Sequence, residues 1–179
     1  VGKIIRADKS RCYVVPSAPG KRNSKDTKVT DMLYNTYALA ESDDAFDKEL
    51  DAIKARYQEL IDGLKLKLSL DKEFEVIREN FKKKAGSDYA ASRGEFLNGI
   101  IMANYLGYEF IDAAEVIFFD EEGNFMPDHT NEVLSARLSE TPKAVVPGFY
   151  GAKLDGSVKT FSRGGSDITG SIVAKAAHV

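Results

Sequence analysis

Apolar residues recur at helical spacing along most of the chain, and the exceptions are short and compact. Ala45 to Gly63 places Phe46, Leu50, Ile53, Tyr57, Leu60 and Ile61 along a helical stripe. Asp71 to Ala85 does the same with Phe74, Ile77 and Phe81, and Lys82, Lys83 and Lys84 fall in its last turn, where cations complement the helix dipole. Ser87 to Leu106 is a third helix, stopped by Gly107, and Ile168 to Ala177 is another with few breakers. Thr30-Asp31 caps a helix through Met32, Leu33, Tyr34, Tyr37 and Leu39, Thr130 to Leu138 forms one more, and Val1 to Ile5 reads as the end of a helix. The compact apolar runs read as strands. Cys12 to Val15 is a buried parallel strand, followed by Tyr108 to Asp112, Val116 to Phe119 and the pair Val145-Val146, which Pro147-Gly148 closes. Asp155-Gly156 marks a turn between two short extended pieces. Strands separated by helices predict an α/β fold, layered α/β/α with a mainly parallel sheet. The segment at about 45–86 reads as a helical excursion standing off that sheet, with no identifiable chemistry of its own.

Composition narrows this without redirecting it. The chain has 179 residues, one domain's worth, enough for a sizeable core. Its 43% hydrophobic and 30% charged content is that of a soluble globular domain. A net charge of −3 gives no reason to expect nucleic acid or membrane partners. No apolar run approaches the roughly twenty residues that span a bilayer, and no basic-then-apolar leader opens the chain. The single cysteine, Cys12, excludes an internal disulfide framework, fits a reducing cytoplasm and reads as a buried structural thiol. His129 and His178 lie far apart with no ligand at metal spacing, so no metal site is expected. Asp120 to Asn124, with three consecutive acids, reads as a solvated hairpin tip.

Two stretches could carry chemistry. Ser162 to Asp167 (Ser-Arg-Gly-Gly-Ser-Asp) sits where an extended segment enters a helix. Adjacent glycines there let the backbone approach a ligand, free N–H groups at the helix start suit an anion, and Arg163 and Asp167 add one charge of each sign. The same residues could equally be an N-cap at Ser166 or Asp167 preceded by a turn. Lys21 to Lys28 is a polar, basic, mobile loop. Gly20-Lys21 does not make a phosphate-binding P-loop, because the upstream glycine is missing and Arg22 stands where Ser or Thr is required.

Longer strings favour one of these readings. Val-Pro-Gly-Phe-Tyr-Gly followed by Thr-Phe-Ser-Arg-Gly-Gly-Ser-Asp resembles the aspartate kinases of the amino-acid kinase superfamily, in which Gly-Phe-x-Gly precedes Arg-Gly-Gly-Ser-Asp. Val-Val-Pro-Ser-Ala-Pro-Gly-Lys-Arg followed by Lys-Val-Thr-Asp-Met-Leu is similar to that family's strand–loop–helix, and Ser92-Arg-Gly-Glu95 to its Ser-x-Gly-Glu, with Arg93 in place of an aromatic residue. The resemblance implies an incomplete amino-acid kinase domain, carbamate-kinase-like, over 1–179. It lacks the family's opening Lys-Phe-Gly-Gly strand and its later nucleotide-binding half, and so represents the aspartate-binding half of a longer enzyme.

The function implied is transfer of the ATP γ-phosphate to the side-chain carboxylate of L-aspartate, the first step of lysine, threonine and methionine biosynthesis, in the cytoplasm, with Mg²⁺ accompanying ATP and a homo-oligomeric parent. By resemblance, Thr30, Glu95, Arg163 and Ser166 bind substrate, with Ser92 a neighbour of Glu95. Ser17, Ala18, Gly164 and Gly165 face phosphate or nucleotide, and Gly165 and Asp167 serve catalysis. Glu95, read as standing in the first part of its helix near where that helix enters the core, pairs with the substrate's amino group. The alternatives are another superfamily kinase, of the acetylglutamate or glutamate kinase type, and a non-catalytic piece that only binds substrate.

Overall fold

A computed structural model of the chain describes residues 1–162 and 164–178. The elements, in order, are α1 (Gly2–Arg6), β1 (Tyr13–Val14), α2 (Val29–Glu41), α3 (Asp47–Gly63), α4 (Asp71–Lys82), α5 (Ser87–Leu106), β2 (Glu109–Phe110), a 3₁₀ turn (Ala113–Glu115), β3 (Phe118–Phe119), α6 (Pro127–Ser139), β4 (Ala144–Val145), β5 (Tyr150–Lys153), β6 (Val158–Thr160) and α7 (Gly165–Ala176). Among the described residues the strands form two three-stranded sheets, ordered β1-β4-β2 and β3-β5-β6. Among these strands every pairing is parallel except β5 with β6, which the Asp155-Gly156 turn joins as a hairpin, and an isolated antiparallel bridge links Phe119 to Phe125.

The parallel ladder is short because only a few residues meet. Ala144 N–H donates to Cys12 O and Val146 N–H to Val14 O, each at 3.0 Å, while Ile111 N–H donates to Val145 O at 3.0 Å. One further bond, Gly148 N–H to Pro16 O at 3.0 Å, carries the pairing past the strand ends. Ser17 and Phe149 are thereby set side by side at the C-terminal end of parallel strands, where open α/β sheets place their ligand crevices.

Two apolar clusters hold the chain. The first is built by α2, α3, α4 and α5, with Leu33, Leu50, Ile53, Tyr57, Phe74, Phe81 and Leu97 all fully buried. The segment read as standing off the sheet thus shares a core with α2 and α5. The second gathers Ile111, Ile117, Leu134, Val146, Tyr150 and Val173 from the strands, α6 and α7. Phe96 packs against both and stacks edge-on to Phe110, ring centroids 5.5 Å apart. α5 starts and stops where the sequence pattern puts it, its end fixed by Gly107 in the left-handed region at φ 72°.

Some expectations change. Thr30-Asp31 does not cap α2: Lys28 is its N-cap, no side chain caps it, and Thr30 lies inside the first turn. Cys12 and the residues of β1 are half-exposed; among the described residues β1 pairs with β4 alone. The Lys21–Lys28 loop, expected to be mobile, is tied by Arg22 and Arg56 to Asp26. Among the described residues no helix is long and apolar enough to cross a membrane, and no group of three potential metal ligands occurs. The acidic tip closes on itself, with Asp120 accepting from Asn124 N–H at 2.7 Å and from its Nδ2 at 3.0 Å.

Candidate functional site

A cavity of about 380 Å³ opens at the C-terminal end of the parallel strands and is lined by Ser17, Thr30, Glu95, Phe149, Ser162, Gly164, Gly165, Ser166 and Asp167. Seven of the residues singled out in the sequence converge here: Ser17, Thr30, Glu95, Gly164, Gly165, Ser166 and Asp167. Ala18 stands just behind, its methyl group against Gly94, where an added Cβ would come within 2.8 Å. Arg163 lies outside the described residues. A larger cavity, about 700 Å³, runs along β1 and α7 between Ile5, Cys12, Val14 and Val173, and contains none of the expected residues. Its lining is mostly apolar, so polar convergence rather than size locates the site.

The start of α7 forms one wall. Gly164 is the N-cap, in the left-handed region at φ 58°, and no side chain caps the helix. The cap reading of Ser166 and Asp167 is therefore set aside: they occupy the first turn, and among the described residues no side chain caps the amides there. Gly165 is needed for a different reason than ligand approach. A Cβ on it would lie 2.8 Å from Phe149 Cα, and one on Gly148 would lie 2.8 Å from Ser166 Cα, so the Gly148-Phe149 loop and the α7 start touch backbone to backbone. Phe149 adopts φ 81°, a costly conformation for a bulky residue. Its N–H donates to Thr169 Oγ1 at 3.1 Å and its carbonyl accepts from Phe161 N–H at 2.9 Å. Thr169, fully buried, also donates to Gly165 O at 2.8 Å, so one hydroxyl joins the loop to the helix. Phe149 and Thr169 were not named from sequence; the Gly-Phe-Tyr-Gly string pointed at the first, while nothing local marks the second.

Glu95 forms the opposite wall. It lies in the third turn of α5 and is only 6% exposed. Ala90 to Glu95 are buried without interruption, because small residues let this helix sink between the two clusters. Its Oε2 has no hydrogen-bond partner among the described residues. Burial pushes its carboxyl up to about 7, against weaker opposing pulls from the Ala18 amide and its own. The helix is held there by Tyr57 on α3, whose hydroxyl donates to Gly94 O at 2.8 Å. Ser92 is buried out of the cavity, donating to Tyr89 O and accepting from the Arg93 guanidinium. Arg93, where the resemblance led one to expect an aromatic, lies over the rings of Tyr89 and Phe96.

A third wall is the loop after β1. Ser17 Oγ lies 2.8 Å from Ser166 Oγ, joining loop to helix across the opening, and Asn98 Nδ2 donates to Ser17 O at 2.7 Å. The arrangement is an uncapped helix start, four hydroxyls, a rim carboxylate at Asp167 and, at Glu95, one buried carboxylate with an oxygen that has no partner among the described residues. Chemically, this suits a ligand that is anionic at one end and carries a hydrogen-bonding cation at the other.

No family model matches the chain. It is 34% identical to aspartokinase 3 of Bacillus subtilis (strain 168), in an alignment covering 96% of this chain and 41% of that protein. The crystal structure of Clostridium acetobutylicum aspartate kinase, described as an allosteric enzyme, superposes with a TM-score of 0.96 at 47% identity, covering 99% of this chain and 41% of that one. The Escherichia coli aspartokinase III complex with aspartate and ADP superposes at 0.75 with 21% identity over 99% of this chain and 43% of that one, a likeness of fold. The chain spans about two fifths of the length of each of these proteins.

Proposed function

We infer, for a chain that is homologous along its length to part of an aspartokinase, that the protein it represents transfers the γ-phosphate of ATP to the side-chain carboxylate of L-aspartate. The observation that carries the reading is the convergence of Ser17, Thr30, Glu95 and the Gly164–Asp167 helix start on one cavity, with an unpartnered carboxylate oxygen buried in its wall. A buried anion without a partner is costly, and a substrate ammonium would supply the missing one. The E. coli aspartokinase III structure, which holds aspartate and ADP, supports the same pair of ligands here.

In this reading Glu95 receives the amino group of the acceptor. Thr30 and Ser166 donate to its oxygens, and Arg163 clamps a carboxylate with its planar fork. A side-chain carboxylate oxygen then attacks the γ-phosphorus, the bond to the bridging oxygen breaks, and its electron pair leaves with ADP, giving an acyl phosphate. Gly164 and Gly165, with Ser17 across from them and Ala18 behind it, receive the phosphoryl oxygens through backbone N–H groups. Positioning and charge stabilisation, rather than covalent catalysis, account for such transfers. Asp167, an acceptor when ionised, orients a donor rather than binding phosphate. Mg²⁺ would arrive on the nucleotide, held mainly by phosphates and water. A cytoplasmic location, a place at the head of lysine-family biosynthesis and a homo-oligomeric parent belong to the same proposal.

An ADP-release assay on the full-length enzyme tests it with aspartate, glutamate and N-acetylglutamate as acceptors. Aspartate should turn over best and the acetylated acceptor, which has no ammonium for Glu95, worst. Preference for the acetylated acceptor would transfer the chain to a different amino-acid kinase. For the isolated 179-residue piece, calorimetry should register weak aspartate binding without turnover.

A further inference from the structure

α3 does not reach the cavity, yet one of its side chains closes the loop that does. We propose that Arg56 is a positioning residue for the phosphoryl transfer inferred above: it fastens the loop between β1 and α2 so that Ser17, Ala18 and Thr30 stand in place over Glu95. The proposal rests on that functional reading.

Arg56 is 7% exposed on α3. One guanidinium nitrogen donates to Thr27 O at 2.6 Å, and another to Gly20 O at 2.8 Å and to Asp26 Oδ2 at 3.0 Å. A single planar fork therefore holds both ends of the segment 20–27, a geometry that a lysine's point charge cannot reproduce. Asp26 is the other half of the clasp. It also accepts the Arg22 N–H at 2.8 Å and Arg22 Nε at 3.2 Å, and Arg22 reaches Glu59 of α3 at 2.7 Å. The Arg22 amide and guanidinium, with Arg56 beyond them, hold the Asp26 carboxyl at about 2, so it stays charged.

The inner limb of the same loop is the part that meets the site. Ser17 bonds Ser166 across the cavity, Asn98 fixes the Ser17 carbonyl, and the Ala18 methyl group fills the space that Gly94 leaves open. Directly after the loop come Val29 and Thr30, the start of α2. The adjacent residue on α3, Tyr57, bonds Gly94 O next to Glu95. Two consecutive residues of one helix thus fix two walls of the cavity, the loop after β1 and α5 at Glu95. Nothing between Pro16 and Lys28 belongs to a helix or strand, so without Arg56 this segment should open before the helices do.

The loop carries its own reporters, since Lys21, Arg22, Lys25 and Lys28 are exposed tryptic sites. The test uses full-length enzyme as wild type, Arg56→Met and Arg56→Lys. In Arg56→Met, cleavage within 21–28 should accelerate roughly tenfold, the acceptor KM rise roughly tenfold through Thr30, and kcat fall roughly tenfold through Ser17 and Ala18. Arg56→Lys should lie between the two on each readout, and it carries the test if the methionine variant fails to fold. Unchanged loop cleavage, or faster cleavage with an unchanged acceptor KM, overturns the proposal. A wild-type enzyme that phosphorylates no amino acid would sink the functional reading and the positioning role with it. Proteolysis alone would then decide whether Arg56 holds the loop.

Discussion

The helical half of this molecule and its sheet half solve the same burial problem by different means, and the cavity lies on the seam. In the helical half, α2 to α5 bring long apolar stripes together, and the large rings of Tyr57, Phe74 and Phe81 fill the space between them. Each stripe is written locally in sequence. In the sheet half, strands of two to four residues are held by ladder bonds to partners far along the chain, such as Ala144 to Cys12. That half supplies the loops and the helix start that line most of the site, while the helical half contributes Thr30 and Glu95. Stability and chemistry should accordingly separate, apart from Glu95, where they meet.

The largest expected effect tests the helical half as pure scaffold. Phe81→Ala removes a fully buried ring that meets Tyr37 at 5.3 Å and Phe46 at 5.9 Å between centroids. It should cost about 3–5 kcal/mol of unfolding free energy, measured by denaturant titration. At a temperature where the variant stays folded, its acceptor KM should match wild type; a large KM change would dissolve the distinction between the two halves.

Glu95 sharpens it. Its folded-state carboxyl, near 7, lies above its ordinary value of 4.5, so the ligand-free protein binds this proton more tightly than the unfolded chain does. The sign follows: the group's contribution is fully present below about pH 4.5 and is lost as pH rises through about 7. The loss should reach up to about 3 kcal/mol, with Tyr34, Tyr57 and Tyr150 nearby remaining neutral in this range. Glu95→Gln should flatten that part of the stability–pH profile; an unchanged slope would mean that burial does not perturb Glu95.

The third change acts on the sheet half. Gly165→Ala forces a methyl group onto Phe149, whose backbone is already at φ 81°. A displacement of this size at the helix start should lower kcat/KM roughly 100-fold, with an overpacking cost of about 1–3 kcal/mol. Activity near wild type would show that the α7 start need not hold its position against the Gly148-Phe149 loop.

Legibility divides along the same seam. α5 could be bounded from sequence because apolar spacing and Gly107 act locally, and α3 and α4 announced themselves by their stripes. The short strands could be found but not measured, since their ends are set by partners such as Val14 and Val146 rather than by their own residues. The site's membership was readable from Gly-Gly-Ser-Asp and from family likeness. Its geometry was not. Glu95 could be placed near where its helix enters the core, and only tertiary packing of Ala90 to Gly94 shows how far it is sunk. The absence of a cap on α2 was hidden for a similar reason, because the segment preceding it is fixed by Arg56 from α3. A lone arginine on a helix stripe carries no local sign of that task.

Steady-state kinetics of Glu95→Ala in the full-length enzyme tests the central claim most directly. If Glu95 receives the acceptor's ammonium, the aspartate KM should rise at least roughly tenfold while the ATP KM stays within about twofold, as should also hold for Arg163→Ala. An aspartate KM equal to wild type in Glu95→Ala would contradict the account.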